Sequence, residues 1–295
     1  MKINNYAKGV ILTFLGAICW GISGVLGEYL LNVSKIDSLW VISNRLFYSG
    51  LFMILFLYFK QNKEVFNVFK AKKDIFKLVN FAFLGLVICQ ATYFLAIKYT
   101  NAGTATVLQY LGPTMIMVYY CIIKRKLPKL NEFLAIVFSL LGIILISTHL
   151  KFDSLIISKE GLFWGLFSAL GLTIYNVLSI DLIKKFGSML TVGWGLFLSG
   201  IVVQIATKSF YIPNNFNLVD LICMLGVVII GTIVSFTLYL QGVTLIGAVR
   251  GSIIACVEPI AAIIFSMLLI GTHFSFYDIL GSAIILFAVL LLNRR

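Results

Sequence analysis

Five ionisable side chains fall inside long apolar stretches of this 295-residue chain: Glu28, Arg45, Asp181, Arg250 and Glu258. A charge inside an apolar helix is costly, so each is a functional candidate by default. Glu258 lies nearest the middle of its stretch and is followed by Pro259. Proline has no amide hydrogen, so the carbonyl four residues earlier loses its helical donor. Carbonyls freed beside a carboxylate can bind a cation, an ammonium group or a proton. Burial penalises the charged form of a carboxyl, which suits Glu258 to carrying a proton; the alternative is a neutral Glu258 hydrogen-bonded to a neighbouring helix. Pro113 predicts a similar break earlier in the chain.

The other four charges read as two ionic gates. Glu28 and Arg45 sit toward one end of two adjacent antiparallel stretches, and Asp181 and Arg250 toward the opposite end of two others. The alternative for these four is snorkelling, with the charged heads reaching the headgroup layer. Trp20, Gln90, Tyr93, Gln109, Tyr110, Tyr175, Asn176 and Trp194 are the polar and aromatic candidates to line a substrate cavity. Each would equally serve hydrogen bonding between helices. Gln204 and Gln241 lie near stretch ends and are expected at the interface.

The elements that position these groups follow from composition. The chain is 61% apolar and 12% charged, with mean hydropathy +1.04. A soluble domain is typically about 45–50% apolar and about 25% charged. Lipid is therefore the expected solvent. Apolar runs lie at about 9–31, 39–59, 78–97, 102–123, 132–149, 161–182, 189–207, 219–240, 247–269 and 276–292. Each can cross a bilayer as a helix. The expected fold is an all-α integral membrane protein of ten transmembrane helices. Cys19, Cys89, Cys121, Cys223 and Cys256 all fall in these runs without a CxxC pair, so neither a disulfide nor a metal site nor a cofactor is expected.

Charge distribution sets the orientation. Sixteen of the 23 Lys and Arg fall on the side of the N-terminus when the spans are threaded in order, five on the other side, and Arg45 and Arg250 within spans. Basic residues collect on the cytoplasmic side of short loops, which predicts both termini inside. The net charge of +12 thus reads as a topology signal, and nucleic acid is not an expected partner. The basic connection 60–77 is suited to resting on anionic membrane lipid.

The halves 1–150 and 151–295 resemble each other. At an offset of 152, Gly9/Gly161, Ala17/Ala169, Ile22/Ile174, Val25/Val177, Leu26/Leu178 and Leu30/Leu182 coincide. At 146, Pro113 meets Pro259, Ala102 meets Ala248 and Glu132 meets Asp278. Five spans per half is an odd number, so the copies would enter the membrane from opposite sides. Inverted repeats of this kind underlie alternating access, with substrate near the midplane. That favours a secondary transporter of a small molecule over a membrane-embedded enzyme acting on a lipid or lipid-linked substrate. Such an enzyme would gather His, Asp or Glu near one interface, whereas His149 and His273 are far apart in sequence. No Walker-type phosphate loop occurs, so the drive must come from gradients or another subunit.

The residues that carry a family resemblance are Gly16-Ala-Ile-Cys-Trp20-Gly21-Ile-Ser-Gly24, the run from Ala96-Ile-Lys-Tyr99 through Gln109-Tyr110-Leu-Gly-Pro113, and Glu258-Pro259. Over nearly its whole length the chain resembles the EamA family of the drug/metabolite transporter superfamily. The Gln109–Pro113 run and the Trp194 neighbourhood resemble a bacterial subgroup of carboxylate, amino-acid or amine transporters. The resemblance implies a bacterial cell membrane and a small polar or amphipathic metabolite, often exported. One departure is plain: where family members often carry Gly-Glu after the fourth and ninth spans, this chain has Lys124-Arg125 and Gly271-Thr272.

Overall fold

The computed structural model describes residues 5–150 and 156–292; Lys2, Lys151, Arg294 and Arg295, used above to set the orientation, lie outside them. Among the described residues the chain is helical throughout, with no strands. Nine helices among the described residues are long and apolar enough to cross a membrane. The first eight are Asn5–Val33, Ser38–Lys60, Lys72–Tyr99, Ala102–Lys124, Leu130–Thr148, Lys159–Phe186, Ser188–Thr207 and Leu218–Ile246. The ninth contributes Ile253–Ile270 as its apolar stretch, and the shorter Phe276–Leu292 follows as a tenth helix.

The third and sixth spans run beyond the apolar limits read from sequence into charged residues. The third begins at Lys72 and the sixth ends at Phe186. Their polar ends pair with each other: Lys185 donates to Asp74 at 2.6 Å, and Lys77 bonds Asp181. Charge pairing lets each helix continue past the apolar layer. Between the second and third spans, Asn62–Phe69 forms a 3-10 helix whose Val65 and Val68 are fully buried. The Trp194 indole donates to the Val65 carbonyl at 2.8 Å, so Trp194 anchors this connection.

Glycines allow the closest crossings. A Cβ on Gly50 would stand 2.2 Å from the Phe197 nitrogen, and one on Gly200 would stand 2.3 Å from the Phe47 nitrogen. The second and seventh spans thus meet backbone to backbone in a reciprocal contact. Gly142 and Gly281 make another between the fifth and tenth helices, each facing the other's carbonyl oxygen. The first span packs on the eighth and ninth, and the sixth packs on the third and fourth. Gln204, expected at an interface, is buried. Its amide donates to Asn44 at 3.1 Å, because the close second–seventh crossing leaves that amide no route to solvent.

Candidate functional site

The site is built on two interrupted helices. The fourth span is helical over Ala102–Gln109 and again over Gly112–Lys124, with Tyr110 at φ −67°, ψ −1° between them. The ninth repeats the pattern, with Ala248–Ala255 and Val257–Phe265 separated by Cys256 at φ −61°, ψ −5°. Each interruption lies three residues before a proline, Pro113 or Pro259, which falls in the first turn of the second segment. Proline's fixed φ suits the first turn of a helical segment.

Pro259 deprives the Ala255 carbonyl of its donor. The Tyr110 hydroxyl supplies one at 2.7 Å and also lies 3.0 Å from Oε2 of Glu258. The freed carbonyl is therefore bonded across the two broken helices, rather than open to a cation as expected from sequence. Tyr110, Glu258 and Ala255 converge at one point.

Arg45 faces the same interior. Its guanidinium stacks at 4.8 Å over Phe94, and its buried Nη1 has no hydrogen-bond partner. The Phe94 ring lies 5.7 Å from that of Tyr93, which links Arg45 to the fourth span. Tyr93 bonds Thr106 at 2.8 Å, and Gln109 donates to the Cys89 sulfur at 3.7 Å. Trp20 packs on Phe236 and Tyr239, with ring centres at 5.2 and 4.9 Å, and Tyr175 packs on Phe81 at 5.3 Å. Spans one, two, three, four, six, eight and nine thus contribute to a polar and aromatic interior. Gln90 is half-buried one turn before Tyr93. The Asn176 amide is taken up locally by the Leu172 carbonyl at 2.7 Å.

Sequence reasoning missed Tyr239, Thr106 and the polar use of Cys89. Tyr239 lies four residues after Ser235 on the helix face against Gly16, a spacing that was legible. Nothing local marks Cys89 as an acceptor.

Neither ion-pair gate forms as expected. Glu28 is 2% exposed. It accepts from the Ala102 amide at 2.8 Å, the Ser266 hydroxyl at 2.7 Å and the Thr272 hydroxyl at 2.9 Å. Three donors satisfy the carboxylate, and the Phe94 ring that packs against Gly27 also lies under Arg45. A helix N-terminus is itself a favourable place for a carboxylate. At the other end Asp181 is taken by Lys77, and Arg250 lies 5.2 Å over the Tyr6 ring. The third span projects far enough to bring Lys77 to Asp181 first.

The model of the EamA-like transporter family matches residues 7–148 and 159–294. The chain is 34% identical over 288 residues to an uncharacterized inner membrane transporter of Salmonella typhimurium, YicL, covering 97% of this chain and 95% of that one. It is 20% identical over 294 residues to an uncharacterized transporter of Bacillus subtilis, YcbK, covering 98% and 93%. A solved crystal structure of a protein shares the fold with TM-score 0.60 at 12% identity, over 97% of this chain and 96% of that one.

Proposed function

The chain belongs to the EamA-like transporter family, and from that premise we propose a secondary active transporter for a small polar or amphipathic metabolite of the amino-acid, amine or carboxylate class, working outward by alternating access. The observation that carries the substrate reading is the unpartnered, buried Nη1 of Arg45, which Phe94 and Tyr93 link to the fourth span, where Tyr110 meets Glu258. An unpaired guanidinium nitrogen is an expensive thing to bury, and a carboxylate is the ligand that relieves it. Glu258 would meet an ammonium group or a proton, and Trp20, Tyr93, Gln109, Tyr110 and Tyr175 would enclose the body of the molecule.

Ten spans in two inverted halves, 1–150 and 151–295, are part of this reading. The tenth helix, with 17 described residues, would reach roughly 26 Å at 1.5 Å per residue, near a bilayer's apolar thickness. The packing supports the symmetry. Moving each helix on by five turns the first–eighth contact into the sixth–third, and the first–ninth into the sixth–fourth; both members of each pair are present. The Gly50–Phe197 and Gly200–Phe47 contacts exchange in the same way, and the matched interruptions at Tyr110 and Cys256 are offset like the two prolines.

The two ends differ, which supports a single access state. Near Glu28 the first span is closed on the fourth and ninth. At the opposite end the third and sixth spans are joined by Lys77–Asp181 and Lys185–Asp74. With both termini cytoplasmic, Glu28 closes the outer side. A proton on Glu258 would donate to the Tyr110 oxygen and leave that hydroxyl wholly to Ala255, which gives a coupling proton a structural consequence.

Counterflow of labelled amino acids, amines and carboxylates in proteoliposomes tests the reading. Arg45→Gln is expected to abolish saturable flux of carboxylate-bearing solutes, and Glu258→Gln to abolish proton-coupled flux. Inertness of the wild-type protein across the panel would refute it.

A further inference from the structure

We propose that the crevice between the fourth, fifth and sixth spans is a binding site for an anionic glycerophospholipid of the leaflet on the Arg125 side. Two cavities carry the argument. The larger, about 570 Å³, is lined mostly by apolar side chains, with Thr114, Tyr119, Ser139 and Thr173 as its polar contributors. That volume is of the size that holds a small ligand, about 300–1,000 Å³. The smaller, about 370 Å³, lies at the C-terminal end of the fourth span and includes Arg125 and Lys126. Val118, Ile122 and Ile136 line both, so the two spaces adjoin.

The outward face of this crevice is apolar. Ile122 is 71% exposed and Leu140 is 55% exposed. In a membrane these side chains meet acyl chains, so the crevice opens sideways into lipid. Its mouth is cationic. Arg125 and Lys126 are both exposed, neither cavity is lined by an acidic residue, and Lys124 and Lys129 flank them. An apolar slot ending in a guanidinium and an ammonium complements one chemistry, an acyl chain ending in a phosphate. Arginine binds such a group through two parallel hydrogen bonds. None of Arg45, Tyr110 and Glu258 lines either cavity, so the site does not depend on what is transported.

The test uses the full-length protein in detergent and native mass spectrometry. The probes are phosphatidylglycerol and phosphatidylcholine of identical acyl chains. Retention of phosphatidylglycerol is expected to exceed that of phosphatidylcholine several-fold. The double variant Arg125→Gln, Lys126→Gln should bring the ratio to about one. Ile122→Trp, at a position exposed enough to spare the fold, should reduce retention of both lipids by filling the junction of the cavities. Equal retention of the two lipids by the native protein overturns the proposal. So does a phosphatidylglycerol preference that survives both variants, or a dimer that forms in place of the lipid adduct.

Discussion

The hydroxyl of Tyr110 reaches the carbonyl of Ala255 across 2.7 Å, and that carbonyl is the one Pro259 leaves without a helical donor. One broken helix thus repairs the other. The bond fixes where the fourth and ninth spans meet, and it sets the hydroxyl 3.0 Å from Glu258.

Tyr110→Phe removes the hydroxyl and keeps the ring. The Ala255 carbonyl then loses this donor, at a cost of about 1–3 kcal/mol. Substrate flux should fall at least tenfold, and thermal melting of the purified protein should drop by a few degrees. Unchanged flux would separate this bond from transport.

Pro259→Ala returns an amide hydrogen to the helix. It can reach Ala255 in the ordinary four-residue pattern and compete with Tyr110. Melting should hold or rise while flux falls. A variant that transports normally would show that the interruption at Cys256 plays no part in the cycle.

Glu28→Ala should loosen one end only. The Ala102 amide and the hydroxyls of Ser266 and Thr272 lose their shared acceptor. In a background free of native cysteines, Thr272→Cys should then react faster with a membrane-impermeant thiol reagent. Equal rates with and without Glu28 would argue against a closing role for it.

Gly50→Ala and Gly200→Ala each push a methyl group into the opposing backbone, at 2.2 and 2.3 Å. Backbone cannot rotate away as a side chain would, so roughly 1–3 kcal/mol or more is expected to be lost. Monodispersity in detergent and melting temperature report it. Both variants should suffer alike, because the two contacts mirror each other.

The Asp74–Lys185 pair tests the seam between the third and sixth spans. Asp74→Lys alone sets two cations together and should lower the yield of folded protein. Adding Lys185→Asp restores opposite charges and should recover it, with the effect shrinking at high salt.

Solvent and chemistry were legible in the sequence. Long apolar runs have no stable alternative in lipid to a helix that bonds its own backbone, so the helices follow from composition. Pro113 and Pro259 announced the interruptions, since the missing amide hydrogen is a covalent fact. Glu258 stood out by depth alone. Partner choice was not legible. Glu28 and Asp181 each had an arginine at a suitable depth, yet Glu28 is held by an amide and two hydroxyls, and Asp181 by a lysine from a region read as a connection. Periodicity gives the depth of a side chain along its helix but not the rotation or tilt that selects its neighbour. Those come from contacts such as Gly50 on Phe197, where shape complementarity between distant segments sets how closely two helices approach. Only that packing brought Tyr110 to Ala255 and left Arg45 beside Phe94 with a nitrogen unpaired.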